Sequence, residues 1–342
     1  MPETTACSLR VSLVATVLNE AKSLPALLAS IDLQIREPDE VVIVDGGSSD
    51  GSLDLMDRWA ATRTNVQIIS APGTNIAQGR NLAISTAHGE IVAVTDAGVE
   101  LDPEWLEKLA EPFYAAPTTD VAAGFFVSRP RTSFEHALGA TTLPNVGEID
   151  SAQFLPSSRS VAFRREAWEA AGGYPQWLDY CEDVVFDQAL RRLGKRFVWT
   201  PDAVVAFRPR PTLLAFFKQY FRYARGDGKA DLWRHRHAIR YVTYLVGLPL
   251  AWRARTNPLV FLLTLAAAVG YVRGPILRLW RDHRDVSRLP CTEVRQPSRT
   301  TLPRLVGGLA WIPLLRLTGD VAKMLGYPCG IAWRLTHGRP VH

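Results

Sequence analysis

The feature that most constrains the fold is a regular alternation of short β-branched runs with amphipathic stretches between residues 10 and 125. The β-branched runs are bounded by turn-forming residues and predict strands over Val11–Val17, Val41–Asp45, Val66–Ser70, Ile91–Asp96 and Val121–Phe126. The stretches between them predict helices over Ser23–Leu33, Ser52–Ala61, Ile76–Ala87 and Pro103–Ala115. This alternation predicts an α/β fold with a mostly parallel sheet and a ligand outside the carboxyl ends of the strands.

The charge of the chain is distributed unevenly along its length. The 342 residues have a hydrophobic content of 47% and a net charge of +5, which excludes a disordered chain. Residues 1–200 contain 16 basic and 27 acidic side chains, whereas residues 201–342 contain 23 and 7. A basic C-terminal part with few acids predicts an anionic partner, either nucleic acid or an anionic membrane surface.

Three apolar runs lie in the basic part of the chain and help to distinguish a membrane from a nucleic acid as the partner. The runs are Tyr241–Trp252, Pro258–Val272 and Leu305–Leu315. Each is shorter than the ~20 residues of a perpendicular membrane span, so buried core helices are one interpretation. Arginines that resemble snorkelling anchors lie at the two ends of the second run, namely Arg253, Arg255, Arg273 and Arg278. We favour a short hairpin or interfacial helices in contact with anionic membrane lipids, and no nucleic-acid partner.

Polar residues follow three of the predicted strands. The first strand runs into Asn19-Glu20, the second ends in Asp45-Gly46, and the fourth ends in Asp96. Such groups at one sheet edge are costly unless they are paired or bind a ligand, and glycine lets the backbone approach a ligand closely. The first turn lacks a GxGxxG fingerprint, which argues against a dinucleotide oxidoreductase.

A series of segments in a fixed order resembles glycosyltransferase family 2. The segments are Val14–Glu20, Val42–Ser52, Gly79–Ala83, Gly89–Gly98, Ser157–Phe163, Gly172–Pro175 and Cys181–Gly194. The resemblance covers about residues 10–230. It implies the GT-A nucleotide-diphospho-sugar transferase fold and an inverting transferase that uses a nucleotide-diphosphate sugar as donor.

The resemblance also implies which residues bind the donor. Glu20 and Asp45 correspond to the acids that hold the nucleoside, and carboxylates accept hydrogen bonds from base N–H groups and ribose hydroxyls. Val17 and Gly46 lie beside them and belong to the same predicted nucleotide-sugar site. Arg80 matches a basic residue near the nucleotide, where a guanidinium suits phosphate. A surface arginine is the other interpretation of that residue.

Asp96 matches the first acid of the family's DxD motif, which binds ribose and a divalent metal. The second acid is missing in Asp96-Ala97-Gly98, and Ala206 or Phe207 stands where a late histidine is expected. We expect a weak Mg²⁺ or Mn²⁺ requirement through Asp96 alone. Two alternatives stay open. In the first, Asp96 binds only ribose. In the second, arginines neutralise the diphosphate directly, and the candidates are Arg80, Arg222 and Arg225.

The pair Glu182-Asp183 corresponds to the family's ED motif, whose aspartate is the general base. Inversion is one in-line displacement, so a carboxylate must accept the proton of the acceptor hydroxyl. The pair falls in the first turn of a predicted helix, whose N-terminus favours an ionised acid. Two ordinary first-turn acids are the other interpretation.

Gln219, Arg222 and Tyr223 resemble the family's QxxRW motif, with Tyr in place of Trp. The resemblance implies contact with the acceptor or the pyrophosphate. An interfacial amphipathic helix over Leu213–Tyr223 explains the same aromatic residues without a catalytic role. The tyrosine and the compact length argue against a synthase that extrudes a polymer.

Together these observations predict a GT-A catalytic domain over residues 1–235 and an α-helical, membrane-associated region over residues 236–342. The expected reaction moves a sugar to a hydroxyl of a glycan or lipid-linked acceptor, in cell-envelope polysaccharide synthesis. A non-catalytic nucleotide-binding or scaffold protein of the same fold is the alternative. It is motivated by the missing DxD acid.

The cysteines and the N-terminus predict the compartment. No pair of cysteines has disulfide-framework or zinc-site spacing, the four being Cys7, Cys181, Cys291 and Cys329. The N-terminal segment does not have the pattern of a signal peptide. We therefore expect reduced thiols and a location at the cytoplasmic face of the cell membrane, either anchored or peripheral.

Overall fold

The structure is a computed structural model that describes residues 9–284 and 302–338. Its strands are β1 (Val11–Val17), β2 (Glu40–Asp45), β3 (Val66–Ser70), β4 (Ile91–Asp96), β5 (Val99–Leu101), β6 (Val121–Ser128), β7 (Val161–Arg164) and β8 (Phe197–Phe207). Its helices are α1 (Leu24–Asp32), α2 (Ser52–Ala60), α3 (Ile76–Thr86), α4 (Trp105–Ala115), α5 (Ser133–Thr142), α6 (Arg165–Ala170), α7 (Glu182–Arg192), α8 (Leu213–Ala230), α9 (Arg234–Arg253), α10 (Pro258–Arg284) and α11 (Leu302–His337). Cys7, Cys291 and the predicted lack of a signal peptide fall outside the described residues.

The strands form one eight-stranded sheet in the order β3-β2-β1-β4-β7-β6-β8-β5. Four neighbouring pairs are parallel and three are antiparallel, so the predicted mostly parallel sheet is confirmed. All the predicted strands and helices between residues 10 and 125 are present, with ends within two residues of the predicted ones. The α/β fold class is therefore confirmed.

Three strands have no counterpart in the sequence prediction. β5 and β7 contain 3 and 4 residues, too few to show an alternating pattern. β8 contains Pro201 and Asp202, which are both disfavoured inside strands. These strands supply the antiparallel pairs of the sheet, because β7 pairs with β4 and β6, and β5 pairs with β8.

Helices cover both faces of the sheet. Leu13 and Ala15 of β1 pack on one face with residues of α1 and α4, such as Leu27 and Leu109. Val14 points to the opposite face, where α3 and α7 contribute the other half of the core. Burial on both faces explains why β1, β2 and β4 are nearly continuous apolar runs rather than alternating ones.

The C-terminal helices pack on the rest of the chain through α11, which lies along α8 and also contacts α5. The backbones of α8 and α11 approach closely. A Cβ at Gly326 would collide with the carbonyl of Phe221, and one at Gly330 would collide with the carbonyl of Arg225. Ion pairs reinforce this packing, including Arg334 of α11 with Asp231 after α8, whose Nη1 and Oδ1 atoms are 2.5 Å apart.

The apolar runs predicted in the C-terminal part lie inside longer helices. The segments 258–281 of α10 and 305–337 of α11 are 24 and 33 residues long, with mean hydropathies of 1.8 and 1.3. Both are therefore long and apolar enough to cross a membrane, although the runs themselves are too short. Large apolar side chains of α9 and α10 are exposed, for example Leu245 at 72% and Leu262 at 60%. An exposed apolar surface of this extent is typical of a membrane or protein contact.

Candidate active site

The carboxyl ends of β1, β2 and β4 lie side by side at one edge of the sheet. Val17 pairs with Asp45 in the register of β1 and β2, and Thr16 pairs with Asp96 in the register of β1 and β4. The two aspartates therefore flank the end of β1. The alternation of strands and helices places them there, because parallel strands end at the same edge.

Asp45 is 1% exposed and uses only half of its hydrogen-bonding capacity. Its Oδ2 accepts hydrogen bonds from the backbone N–H groups of Gly47 and Ser48, both at 2.9 Å. Its Oδ1 is buried without a partner among the described residues. The backbone N–H of Gly46 donates to the carbonyl of Val17 at 2.9 Å and fixes the loop to β1. A buried carboxylate oxygen without a partner is costly, and a donor group on a ligand would satisfy it.

Glu20 lies in the adjacent loop between β1 and α1. Its backbone N–H donates to Ser52 Oγ at 3.0 Å, and its carboxylate accepts a hydrogen bond from Ser23. Asn19 has a positive φ of 56° and accepts a hydrogen bond from the backbone N–H of Ser49 at 2.9 Å. These contacts join the loop after β1 to the loop after β2, so Glu20 and Asp45 lie at the same edge of the sheet.

Arg80 is buried at the centre of the site, with 2% of its side chain exposed. Its Nη2 donates to Asp96 Oδ1 at 2.6 Å and its Nη1 donates to Glu182 Oε1 at 2.5 Å. Burial raises the pKa of Glu182 to about 6, although the charge of Arg80 opposes this shift. Burial also acts to raise the pKa of Asp96, but Arg80 and Arg159 outweigh it and hold that pKa below its usual value.

Asp183 follows Glu182 in the first turn of α7 and is half-buried. Its Oδ1 accepts a hydrogen bond from the backbone N–H of Val184 at 2.8 Å. The charge of Asp183 acts on both Arg80 and Arg159, which places it at the same cluster. Burial raises the pKa of Asp187, one turn further along α7, well above its usual value, and the charge of Asp183 adds to this shift.

Arg159 belongs to this cluster and was missed by the sequence analysis. Its Nε lies 3.7 Å from Asp96 Oδ2, and 24% of its side chain is exposed. It precedes β7, which pairs with β4 and so carries Arg159 to the end of that strand. The segment Ser157–Phe163 carries part of the family resemblance, but nothing in the segment marks its arginine as a site residue.

The three candidate residues of α8 lie at the rim of the site. Gln219 Nε2 donates to the Tyr223 hydroxyl at 2.8 Å, and this hydroxyl also contacts Arg159. Arg222 is exposed and donates to the Tyr180 hydroxyl at 3.1 Å. The structure therefore brings Tyr223 and Gln219 to the cluster around Asp96, whereas Arg222 faces solvent beside Tyr180.

A divalent cation at Asp96, which the family resemblance implies, has few protein ligands here. Within residues 9–284 and 302–338, no group of three or more His, Cys, Asp and Glu side chains is arranged to hold a metal ion. Both oxygens of Asp96 face guanidinium groups, since Oδ1 contacts Arg80 and Oδ2 lies near Arg159. Phe207, at the end of β8, offers no ligand atom. This donor set does not fit a cation held by protein side chains.

The sheet, with helices on both of its faces, has the GT-A fold of glycosyltransferases. A family model described as "Glycosyl transferase family group 2" matches residues 91–315, about two thirds of the chain. A second, "Glycosyl transferase family 2", matches residues 12–164. The chain belongs to glycosyltransferase family 2.

Curated relatives and a solved structure agree with this assignment. The succinoglycan biosynthesis protein ExoA of Rhizobium meliloti is 27% identical over 71% of this chain and 76% of its own length. The undecaprenyl-phosphate 4-deoxy-4-formamido-L-arabinose transferase of Aeromonas hydrophila is 36% identical over 30% of this chain and 32% of its own length. A mannosyltransferase of Pyrobaculum calidifontis, solved with GDP-Man and Mn²⁺, has a TM-score of 0.53 at 21% identity, and the match covers 97% of this chain and 88% of that chain. That likeness concerns the fold.

Proposed function

We propose that the chain is an inverting glycosyltransferase that moves a sugar from a nucleotide-diphosphate sugar to a hydroxyl of its acceptor. The observation that carries this proposal is the position of Asp183. It lies in the first turn of α7, directly after Glu182, which is bound to Arg80. Arg80 is bound in turn to Asp96 at the end of β4. An ionisable carboxylate is thus held beside the sheet edge where a ligand is expected.

In the proposed reaction, the acceptor oxygen attacks the anomeric carbon while the bond to the diphosphate oxygen breaks. Asp183 accepts the proton of the attacking hydroxyl. Its place in the first turn of α7 is the end of a helix that stabilises negative charge. Burial raises the pKa of Asp187, one turn further along α7, which disfavours a second negative charge beside Asp183.

The nucleoside of the donor is proposed to bind at Asp45 and Glu20. The unpartnered Oδ1 of Asp45 supports this assignment, because a ribose hydroxyl or a base N–H would satisfy it. Val17 and Gly46 form the backbone floor of this subsite through their hydrogen bond. The alternative, a nucleotide-binding scaffold without activity, predicts the same binding but no turnover.

The acceptor is proposed to bind at the rim formed by Gln219, Arg222 and Tyr223, and to be a glycan or a lipid-linked sugar. The undecaprenyl-phosphate transferase among the relatives supports a lipid-linked acceptor. The Mn²⁺ in the solved mannosyltransferase supports a divalent cation as one way to neutralise the diphosphate. Such a cation would be held mostly by the donor phosphates, because Asp96 is the one protein ligand proposed for it.

The catalytic part is proposed to be residues 1–235 and the membrane contact residues 236–342, at the cytoplasmic face. The second half of α9 and the first half of α10 form a hairpin whose large apolar side chains are exposed. Arg253 and Arg255 lie at its tip, and Arg273 and Arg278 lie toward its base. In contrast, α11 packs along α8, which supports attachment through the hairpin rather than through α11.

The test is a panel of nucleotide sugars added to the purified full-length chain in detergent. A true donor raises the melting temperature, because ligand binding to the native state stabilises it. The same donor should then be hydrolysed slowly, and the product should have inverted configuration at the anomeric carbon. Stabilisation without any turnover would favour the scaffold alternative. Salt-sensitive binding to duplex DNA would instead support a nucleic-acid partner.

A further inference from the structure

Two guanidinium groups face Asp96, and they differ in how accessible they are. The side chain of Arg80 is 2% exposed, and its Nη atoms are bound to Asp96 and Glu182. The side chain of Arg159 is 24% exposed at the opposite oxygen of Asp96. Arg159 can therefore contact a ligand at this edge of the sheet without moving, whereas Arg80 would first have to leave two buried carboxylates.

The guanidinium of Arg159 is held in place on several sides. The hydroxyl of Thr95 donates to the backbone carbonyl of Arg159 at 3.0 Å, which fixes the residue to the end of β4. The guanidinium carbon lies 4.9 Å from the ring centroid of Phe207 and 5.9 Å from that of Phe126. Stacking occupies the faces of the guanidinium and leaves its edge for hydrogen bonds, of which Nη1 already makes a long one to Ser157 Oγ at 3.4 Å.

The surroundings of Arg159 also keep it charged. Burial acts to lower its pKa, but Tyr223, Asp96 and Asp183 outweigh burial and hold the pKa above its usual value. Asp96 thus holds a fixed guanidinium at the end of β4, where the family resemblance implies a metal ion.

We propose that Arg159 binds the diphosphate of the donor. Its guanidinium then supplies the positive charge that a metal ion would otherwise supply, because the residues around Asp96 are poor metal ligands. This inference rests on the proposed function. As the anomeric C–O bond breaks, its electron pair stays on the phosphate oxygen, and the acceptor proton goes to Asp183. The guanidinium of Arg159 donates hydrogen bonds to the departing diphosphate as its negative charge grows.

The experiment compares nucleoside diphosphates with their monophosphates in the full-length chain in detergent with excess EDTA. Titration calorimetry is run with UDP, GDP, ADP, CDP and dTDP, and with the corresponding monophosphates. We expect the tightest-binding diphosphate to exceed its monophosphate in affinity. We call the ratio of the diphosphate affinity to the monophosphate affinity the diphosphate advantage. Arg159→Ala should reduce this advantage by about tenfold or more, which is the range of a charge-assisted hydrogen bond. Arg159→Lys should restore part of it.

A matched control is Arg164→Ala, because Arg164 is also stacked on an aromatic ring, 5.6 Å from the centroid of Phe113, but lies at the other end of β7. This variant should keep the full advantage. Two results would overturn the inference: an unchanged advantage in Arg159→Ala, or an advantage that disappears in EDTA and returns with Mn²⁺ even in that variant. If none of the five diphosphates binds the wild-type chain, with or without Mn²⁺, the proposed function fails and the inference fails with it.

Discussion

Nη1 of Arg80 lies 2.5 Å from Oε1 of Glu182, which joins α3 to the first residue of α7. These residues are 102 positions apart in the chain, and both side chains are buried. The contact fixes the start of α7 against the sheet edge, so the carboxylate of Asp183 stands next to the cluster. Glu182 therefore acts as a positioning residue for the proposed base.

Replacing the proposed base should separate catalysis from binding. Asp183→Asn keeps the shape of the side chain but cannot accept the proton, so turnover should fall by about 10²–10⁴-fold. Donor affinity should stay nearly unchanged in calorimetry. Glu107→Gln is the matched control, because Glu107 is an exposed first-turn acid of α4. Near-normal turnover of the asparagine variant would refute the assignment.

Removing the carboxylate of Asp45, whose Oδ1 has no partner among the described residues, should weaken donor binding at the proposed nucleoside subsite. Asp45→Ala should reduce the affinity for the nucleotide by about 1–3 kcal/mol, because the ligand donor would lose its buried partner. Asp54→Ala, at an exposed first-turn acid of α2, should have no effect. Equal affinities of wild type and Asp45→Ala in calorimetry would contradict the subsite.

Removing the buried guanidinium should destabilise the fold through the acids that it leaves behind. Arg80→Met leaves Glu182 without its cationic partner and Asp96 with Arg159 alone, and the loss of a buried partner typically costs about 3–5 kcal/mol. The melting temperature should fall strongly. Adding Glu182→Gln to this variant should recover part of the loss, because one stranded charge is then absent. If the double variant is no more stable than Arg80→Met alone, the unpaired charge of Glu182 causes little of the loss of stability.

The raised pKa of Glu182 predicts a pH dependence of stability. The native state holds this proton up to about pH 6, whereas the usual pKa is 4.5. The native state therefore binds more protons between these values, and its stability should decrease as the pH rises through this window. Glu182→Gln should flatten this part of the curve of melting temperature against pH. Glu166→Gln, in the first turn of α6, should not. Parallel curves for wild type and Glu182→Gln would exclude the shift.

The proposed membrane contact predicts the fractionation of the chain. The wild type should sediment with membranes at low salt without detergent. The double substitution Phe261→Asp with Leu262→Asp places charges on the exposed hairpin. It should release the protein from the membrane into the soluble fraction. Leu33→Asp with Ile35→Asp is the control, because these residues are also exposed apolar side chains, at 68% and 64%, but follow α1 and lie outside the hairpin. Extraction of the wild type by carbonate would identify the contact as peripheral.

The part of the fold that the sequence predicts is the part in which local pattern and tertiary environment agree. β1, β2 and β4 are buried on both faces, so their apolar runs are long, and Asp45 and Asp96 follow from where those strands end. β8 could not be predicted, because its eleven residues include a proline and an aspartate that only its pairing with β5 and β6 accommodates. Arg159 could not be predicted as a site residue for a related reason. It reaches Asp96 through the antiparallel pairing of β7 with β4, and local periodicity carries no information about that pairing.

The close approach of α8 and α11 has a mechanical consequence. Gly326 and Gly330 let the two backbones meet without intervening side chains, and α8 carries Gln219 and Tyr223 at the rim of the site. The hairpin of α9 and α10 follows α8 after a short turn with positive φ at Asp231 and Trp233, and it packs against α11. A side chain at Gly326 or Gly330 would force α11 away from α8. These two glycines therefore also determine where Gln219 and Tyr223 stand relative to Asp96.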